Sequence, residues 1–255
     1  MNVSRKPFLN LSTSCLLFAL GLFNTAALAQ SADVAAALAH PDRPAEDAAA
    51  DAVRKPAEVL AFAGLETGMH VLELEAGGGY YTEIMSRAVG SEGSVILHHA
   101  PGLMQYNDGG IDRRTANNRL TNVRVSLTNF DALDAADNSI DLVTWMQGPH
   151  ELGFAPQGES LGDPEASFRE IVRVLKPGGV FLAIDHIAPD GAGLEAGGTW
   201  HRVEESVTTA MAEAAGLTVL RRSDLLENPD DPLNVSVFAP EVQGKTSQFM
   251  VLYQK

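Results

Sequence analysis

Three consecutive glycines follow a short apolar segment that contains an acidic residue near its end. The chain has Val-Leu-Glu-Leu at residues 71–74, then Glu-Ala, then Gly77, Gly78 and Gly79. Glycines let a ligand approach the backbone, and the N–H groups of a following helix point towards that ligand. This order predicts a binding site for a nucleotide-type ligand, with the carboxylate of Glu73 beside it.

Three histidines adjoin acidic or aromatic residues, and histidine is the side chain that titrates near neutral pH. His150 precedes Glu151, His186 follows an aspartate, and His201 follows a tryptophan. A lone histidine is more often a surface or core residue than a catalytic one, so each is a candidate base only. The sequence has no H-x-x-x-H or H-E-x-x-H spacing, and we therefore expect no metal site.

The rest of the chain predicts the elements that position these residues. Strand patterns alternate with helical patterns after an initial helical region that Pro56 divides in two. The predicted strands cover residues 71–74, 94–98, 123–127, 140–146, 180–184, 218–221 and 249–253, and the predicted helices cover 45–62, 81–89, 112–120, 165–175 and 204–215. This alternation predicts an α/β fold: a Rossmann-like, doubly wound, mostly parallel sheet with helices on both faces.

Composition excludes some classes of ligand. The chain of 255 residues is 45% hydrophobic and 20% charged, which is enough for one sizeable core. Its formal net charge is -15, with a sequence pI near 4.8. Nucleic acids and anionic membrane surfaces require a basic face, so we expect neither as a partner.

The first 29 residues predict a cleaved export signal, and hence a periplasmic protein. Arg5 and Lys6 form the positive start, an apolar stretch covers 16–23, and Ala27-Leu28-Ala29 matches a cleavage site. The apolar stretch is too short to span a bilayer, so we expect no stable membrane insertion after cleavage. Residues 30–44 are expected to form a flexible leader, and 45–255 a single domain.

Three ordered motifs resemble those of class I S-adenosylmethionine-dependent methyltransferases. They are the acidic glycine-rich segment 73–79, the fourth-strand segment 139–143, and the helix-turn segment 168–179. The resemblance covers roughly residues 54–220. Segments 54–56, 77–83 and 228–232 are more narrowly similar to a group of exported bacterial predicted methyltransferases. The family's fold implies a seven-stranded sheet whose last strand is antiparallel, with the cofactor S-adenosylmethionine across the carboxyl ends of the first, second and fourth strands.

The resemblance also implies roles for residues of the first motif. Gly77, Gly78 and Gly79 would pack against the methionine part of the cofactor. Glu73 would hydrogen-bond the amino group of the cofactor, and Thr82 belongs to the same motif.

The sequence departs from the family pattern at two cofactor positions. Glu75 replaces a glycine, which adds a side chain and a charge where space is tight. The acidic residue that grips the ribose at the end of the second strand is missing, and His98-His99 stands there instead. His99 is the expected ribose contact, and Asp108 is a second candidate.

Further positions carried over from the family concern the adenine and the acceptor. Asp131 falls where the family places an acid against adenine, although a plain loop aspartate is as probable. Phe130, next to Asp131 in the sequence, could lie against the adenine ring. Trp145, in the fourth strand, is a further candidate for contact with the cofactor. The acceptor would lie after the fourth strand, where the candidates are Trp145, Gln147, His150 and Glu151. His150 is the first candidate base, with Glu151 beside it, followed by His186 and His201. The Asn-Pro-Pro-aromatic signature of enzymes that methylate nucleic-acid amines is absent.

The leading hypothesis is a methyltransferase acting on a small molecule, and the sequence does not predict its oligomeric state. The alternative is an exported, non-catalytic protein that keeps the fold and a ligand cleft; Glu75 and the missing second-strand acid favour it. A nicotinamide oxidoreductase is weaker, because the glycines lack G-x-G-x-x-G spacing.

Overall fold

The structure is a computed structural model that describes residues 1–4 and 30–255. The strands in these ranges are β1 (His70–Leu74), β2 (Ser94–His99), β3 (Val123–Leu127), β4 (Ile140–Met146), β5 (Leu175–His186), β6 (Thr218–Ser223) and β7 (Gln248–Gln254). The α-helices are α1 (Val34–Leu38), α2 (Ala45–Arg54), α3 (Pro56–Ala63), α4 (Tyr80–Val89), α5 (Gly110–Thr115), α6 (Pro164–Val174), α7 (Gly197–Trp200) and α8 (Glu205–Ala214). The predicted alternation of strands and helices is confirmed.

All seven strands form one sheet in the order β3-β2-β1-β4-β5-β7-β6. Neighbouring strands from β3 to β5 are parallel, whereas β7 is antiparallel to both β5 and β6. Leu72 of β1 pairs with Ile96 of β2 on one side and Val143 of β4 on the other. The strand order therefore reverses next to β1, and ligands of such sheets bind beyond the carboxyl ends of the strands at this point.

Apolar side chains on the two faces of the sheet form separate cores. One contains Trp145, Phe168 and Phe181, and α6 and α8 pack on that side. The other contains Val59, Ile84 and Leu182, with α1, α3 and α4. Burial on both faces explains the nearly continuous apolar composition of β1 and β4.

The predicted division at Pro56 is confirmed. Lys55 ends α2 in the left-handed conformation, with φ 43°, and Pro56 begins α3. Proline is tolerated at this first position because its missing N–H would lack a helical partner in any case. Gly64, with φ 71°, ends α3 as expected from its freedom to adopt positive φ.

The segment expected to be a flexible leader is instead packed against the domain. Ser31 forms an antiparallel bridge with Glu66, and the N–H of Ala32 donates to Leu65 O at 3.2 Å. Asp33 caps α1, in which Ala37 is buried against the core that contains α4. Small alanine side chains allow this close approach, which the composition alone did not reveal.

The predicted turn at 176–179 is also different in the structure, where it lies within β5. Leu175 pairs with Ile140 and Val180 with Leu142, so β5 has extra residues opposite β4 at a bulge. Pro177, which has no N–H, lies in this bulge, and the N–H of Gly178 donates to Lys255 O at 3.2 Å.

The export signal falls on residues 5–29, which lie outside the described residues, so export and periplasmic location stay predictions. In the part of the chain that is described, no helix combines the length and the apolar character needed to cross a membrane.

A buried carboxylate at Glu83 joins α4 to the segment that contains α5. The Glu83 side chain is fully buried and pairs with Arg87 at 2.7 Å, Arg114 at 2.5 Å and Arg119 at 2.6 Å. Burial alone would raise the pKa of Glu83, but the three guanidinium groups outweigh it and lower that pKa to about 2.

We expect the Glu83 network to make stability depend on acid pH. The pKa is lowered in the folded state, so its contribution is full above pH 4.5 and declines as pH falls towards 2. Glu83→Gln should lower the free energy of unfolding at pH 7 by ~3 kcal/mol. The difference in unfolding free energy between this variant and wild type should become smaller at pH 3, as measured by thermal unfolding. Glu92→Gln, on an exposed turn, is the matched control; an equal gap at both pH values would contradict the assignment.

Candidate functional site

Two adjoining clefts lie beyond the carboxyl ends of β1, β2 and β4. The glycine cleft, of about 450 Å³, is lined by Glu73, Glu75, Gly77, Arg54 and Tyr81, among others. The histidine cleft, of about 540 Å³, is lined by the side chains of His99, Tyr106, Asn107, His150, Glu151, Phe154, His186, His201 and Phe238, among others. Glu75, Gly77, Gly78 and Gln147 line both, so the glycine turn forms the boundary between them.

The three glycines have different functions in the turn. Gly77 has φ +55°, and a Cβ there would meet nothing within 4 Å, so this position borders open space. Gly78 lines both clefts, whereas a Cβ on Gly79 would lie 2.8 Å from Cγ of Arg114. Gly79 therefore begins α4 and admits the arginine behind the turn, and only the other two glycines line the clefts.

Two residues that the motif did not predict hold this turn in place. The side-chain amide of Asn107 donates to Gly77 O at 2.9 Å, and Nε of Arg114 donates to Gly78 O at 2.9 Å. Both residues lie in the polar region between β2 and β3, where the sequence has no pattern that relates them to the glycines. Their contacts fix the glycine carbonyls and leave the cleft side of the turn open.

Glu73 is at the base of the glycine cleft and is almost fully buried. It accepts a hydrogen bond from the hydroxyl of Thr82, whose own side chain is buried and does not line either cleft. Burial raises the pKa of Glu73 to about 8, against the opposing effects of Thr82 and Arg114. A cationic ligand group beside this carboxylate would favour its ionised form, whereas Thr82 acts by orienting it.

Glu75 places a carboxylate at the end of β2, where the sequence lacks its own. Its backbone is left-handed, with φ 48°, a conformation in which the family usually has glycine. One carboxylate oxygen lies 2.6 Å from Nδ1 of His99, and the other accepts from the N–H of Ala100 at 3.1 Å. The side chain thus turns towards β2 instead of closing the space beside Gly77.

Charge and burial couple Glu75 to His99. Burial raises the pKa of Glu75, although His99 acts in the opposite direction. Burial acts to lower the pKa of His99, but the contact with Glu75 outweighs it and raises that pKa. The neighbouring His98 is turned away: its Nε2 lies 2.8 Å from Thr128 O, and burial lowers its pKa to about 4. Asp108, the other candidate, is exposed and lines neither cleft.

The structure places Asp131 and Trp145 away from both clefts. A carboxylate oxygen of Asp131 accepts from the N–H of Asp163 at 2.9 Å, next to the start of α6. Trp145 is fully buried, with its ring centroid 4.7 Å from that of Phe130 and 6.4 Å from that of Phe168. Gln147 directly follows β4 with a left-handed backbone, φ 57°, so the chain leaves the strand direction there, and this residue lines both clefts.

The four predicted catalytic residues all line the histidine cleft. The N–H of His150 donates to Asp185 at 2.6 Å, and its Nδ1 lies 2.8 Å from the other oxygen of that carboxylate. Its Nε2 lies 3.3 Å from Nδ1 of His201 and 3.4 Å from a carboxylate oxygen of Glu151. The ends of β4 and β5 and the loop after α7 therefore bring these side chains together.

His150 differs from the near-neutral base that the sequence suggested. Burial acts to lower its pKa, but Asp185 and Glu151 outweigh burial and raise that pKa to about 10. Burial lowers the pKa of His186 to about 4, and its Nδ1 lies 2.7 Å from the hydroxyl of Thr246. Burial, followed by the charge of His150, also lowers the pKa of His201. At neutral pH His150 holds a proton, while the other two histidines offer lone pairs.

Comparison with known proteins identifies the family of the domain. A family model described as a methyltransferase domain matches residues 65–216, which is more than half of the chain. A ubiquinone/menaquinone biosynthesis C-methyltransferase from Hydrogenovibrio crunogenus is 32% identical over 126 residues, 49% of this chain and 45% of that protein. One from Legionella pneumophila is 30% identical over 134 residues, 52% of this chain and 49% of that protein. The chain thus spans about half the length of these curated relatives.

Solved structures share the fold at low sequence identity. A SAM-dependent methyltransferase from Aquifex aeolicus has a TM-score of 0.56 and 22% identity, covering 80% of this chain and 97% of its own. The cyclase SpnF has a TM-score of 0.56 and 18% identity, covering 80% of both chains. These likenesses concern the fold.

Proposed function

Because the chain belongs to the S-adenosylmethionine-dependent methyltransferase family, we propose that it transfers a methyl group from this cofactor to a small-molecule acceptor. The observation that carries the proposal is the open space beside Gly77, bordered by the carboxylates of Glu73 and Glu75. When bound, S-adenosylmethionine supplies an electrophilic methyl group, and the protein's task is to align the acceptor with it.

The residues of the glycine cleft fit the charges of the cofactor. S-adenosylmethionine carries a positive sulfonium and a positive amino group, and Glu73 and Glu75 provide carboxylates on the same cleft. In our proposal Glu73 binds the amino group, with Thr82 holding its carboxylate in place. Gly77 and Gly78 allow the methionine part to approach the backbone.

We assign the ribose to Glu75 together with His99. The family's second-strand acid accepts hydrogen bonds from the ribose hydroxyls, and here a carboxylate from the β1 turn lies 2.6 Å from the histidine in that position. The replacement of glycine by Glu75 then compensates for the replacement of the acid by His99. In this proposal, the two departures from the family pattern together form a single ribose-binding pair.

The acceptor is assigned to the histidine cleft, which combines aromatic and basic side chains. Tyr106, Phe154 and Phe238 offer apolar contact to a ring, while His186 and His201 offer lone pairs to a hydroxyl or amine. The curated relatives are named C-methyltransferases, which supports a carbon atom as one acceptor atom to test.

Calorimetry with S-adenosylmethionine and S-adenosylhomocysteine tests both the function and the Glu75 assignment. We expect wild type to bind both, and Glu75→Gln to lose about 10–100-fold in affinity, because a charged hydrogen bond contributes ~1.5–3 kcal/mol. Glu75→Gly should lose similar affinity while its stability stays close to that of wild type, since glycine relieves the left-handed strain. The affinity difference between wild type and each variant should be smaller for the 2′-deoxyribose analogue than for S-adenosylhomocysteine.

Glu58→Gln, at an exposed position on α3, is the control variant and should bind like wild type. Equal affinity of Glu75→Gln and wild type would remove the ribose assignment. No measurable binding by wild type at millimolar ligand would remove the methyltransferase proposal. The exported, non-catalytic protein with a ligand cleft would then be the better hypothesis.

A further inference from the structure

Three side chains in the histidine cleft have the arrangement of a metal-ion site. His150, Glu151 and His201 each offer a ligand atom, and these atoms all lie within 4.8 Å of one another. No sequence motif predicts this cluster, because 51 positions separate the two histidines and the loop after α7 brings them together. We propose that this cluster binds a divalent transition metal, with zinc as the reference ion.

The two distances from His150 to the other ligand atoms match the edges of a tetrahedral site, and the third ligand pair lies within 4.8 Å. Nε2 of His150 lies 3.3 Å from Nδ1 of His201 and 3.4 Å from Oε1 of Glu151. Zinc binds nitrogen and oxygen at about 2.0–2.2 Å, and the edge of such a tetrahedron is roughly 3.3–3.5 Å. Two imidazoles and one carboxylate can therefore share one ion with little rearrangement.

A buried carboxylate orients the central ligand. Asp185 has no exposed side-chain surface, and its oxygens accept from the N–H of His150 at 2.6 Å and lie 2.8 Å from its Nδ1. This contact keeps a proton on Nδ1 and directs Nε2 into the cluster, where a bound ion would displace the second proton that His150 holds at neutral pH. Metal-bound histidines almost always donate their other N–H to a carboxylate, carbonyl or water in this way.

The second oxygen of the same Glu151 carboxylate, which is not the one measured from His150, supports this conclusion. Among the described residues, Oε2 of Glu151 is buried and has no hydrogen-bond partner. A buried carboxylate oxygen without a partner is costly, and a cation is the partner that removes the cost. Asp185 and Glu151 together give the cluster two negative charges, which a divalent ion neutralises.

The site has three protein ligands and therefore room for a fourth from the cleft. His186 is not among the ligands, because its Nδ1 faces Thr246 and its ring centroid is 6.1 Å from that of His150. Phe154 and Phe238 border His201, with ring centroids 5.0 Å and 4.9 Å away. An oxygen of a bound ring would complete the coordination, and the metal would favour its deprotonated form. This role rests on the proposed methyl transfer, whereas metal binding itself does not.

Metal titration of the chelator-treated full chain tests the site. We expect one equivalent of Zn²⁺ by calorimetry and mass spectrometry, and a Co²⁺ complex with the visible absorption of four-coordinate cobalt. His201→Ala and Glu151→Gln should each lower the affinity by more than about 100-fold, since even outer-shell changes cost 10–100-fold. His40→Ala, which removes a histidine far from the cleft, should bind like wild type.

Two results would overturn the site: no stoichiometric binding by wild type, or equal binding by wild type and His201→Ala, which would mean acidic surface sites. His201 is only partly buried, so its variant should fold, and circular dichroism checks this. S-adenosylhomocysteine is titrated into metal-free and zinc-loaded protein in parallel. If wild type binds S-adenosylhomocysteine but shows no cobalt spectrum, only the metal site is rejected. If it shows the cobalt spectrum but does not bind S-adenosylhomocysteine, only the methyltransferase proposal is rejected.

Discussion

Gly77→Val should abolish binding of S-adenosylmethionine while the sheet still folds. The valine side chain would occupy the open space beside this position, where a Cβ meets nothing within 4 Å. The loss should exceed 100-fold, because the backbone could no longer approach the ligand. The positive φ of 55° adds strain of ~1–2 kcal/mol, which lowers stability without unfolding the domain. Calorimetry gives the affinity, and thermal unfolding gives the stability.

Gly68→Val is the matched control for this strain. Gly68 also has a positive φ, of 85°, and open space around its missing Cβ, but it lies in the turn before β1, at the opposite edge of the sheet. Its variant should lose comparable stability and keep wild-type affinity. If Gly77→Val kept its affinity, or if both variants lost it equally, the glycine turn would not be the cofactor site.

Asp231→Ala should produce the largest loss of stability. Arg202 and Asp231 form two hydrogen bonds, at 2.8 and 2.9 Å, and neither side chain has exposed surface. Asp231 also accepts from the N–H of Ser247 at 2.6 Å. The alanine would leave a buried guanidinium unpaired, which costs ~3–5 kcal/mol and lowers the melting temperature by roughly 6–20 °C.

Asp230→Ala, one residue away and exposed, should change stability by less than about 0.5 kcal/mol. The double variant Arg202→Met with Asp231→Leu should recover part of the loss, because it removes both buried charges. If Asp231→Ala were as stable as Asp230→Ala, the Arg202–Asp231 pair would not contribute to stability.

The Arg202–Asp231 pair also anchors the loop that carries Phe238, so Asp231→Ala should weaken acceptor binding more than cofactor binding.

Regular elements could be predicted well because their causes are local. The limits of β3 and β4 match the apolar patterns, and the break at Pro56 follows from its missing N–H. The bulge at Pro177 was missed because it depends on pairing with the end of the chain. Helix α1 was missed because its burial depends on α4, which lies further along the sequence.

The site was only partly predictable, because it depends on side-chain direction and on contacts between distant residues. Glu73 could be placed from its position near the end of a strand, and Gly77 and Gly78 from theirs after it. Trp145 was wrongly placed in the site, since its side chain points into the core. The partnership of Glu75 with His99 needs the pairing of β1 with β2, which no local pattern specifies.

The position of β7 has a consequence for biosynthesis. This strand lies between β5 and β6, although it is the last of the seven to be made. Until Gln248–Gln254 leave the ribosome, β5 has an open hydrogen-bonding edge and β6 has no strand to pair with. Exposed edges of this kind recruit other chains. The nascent protein therefore exposes these two strand edges until β7 has been made, and chaperone protection matters most in that interval.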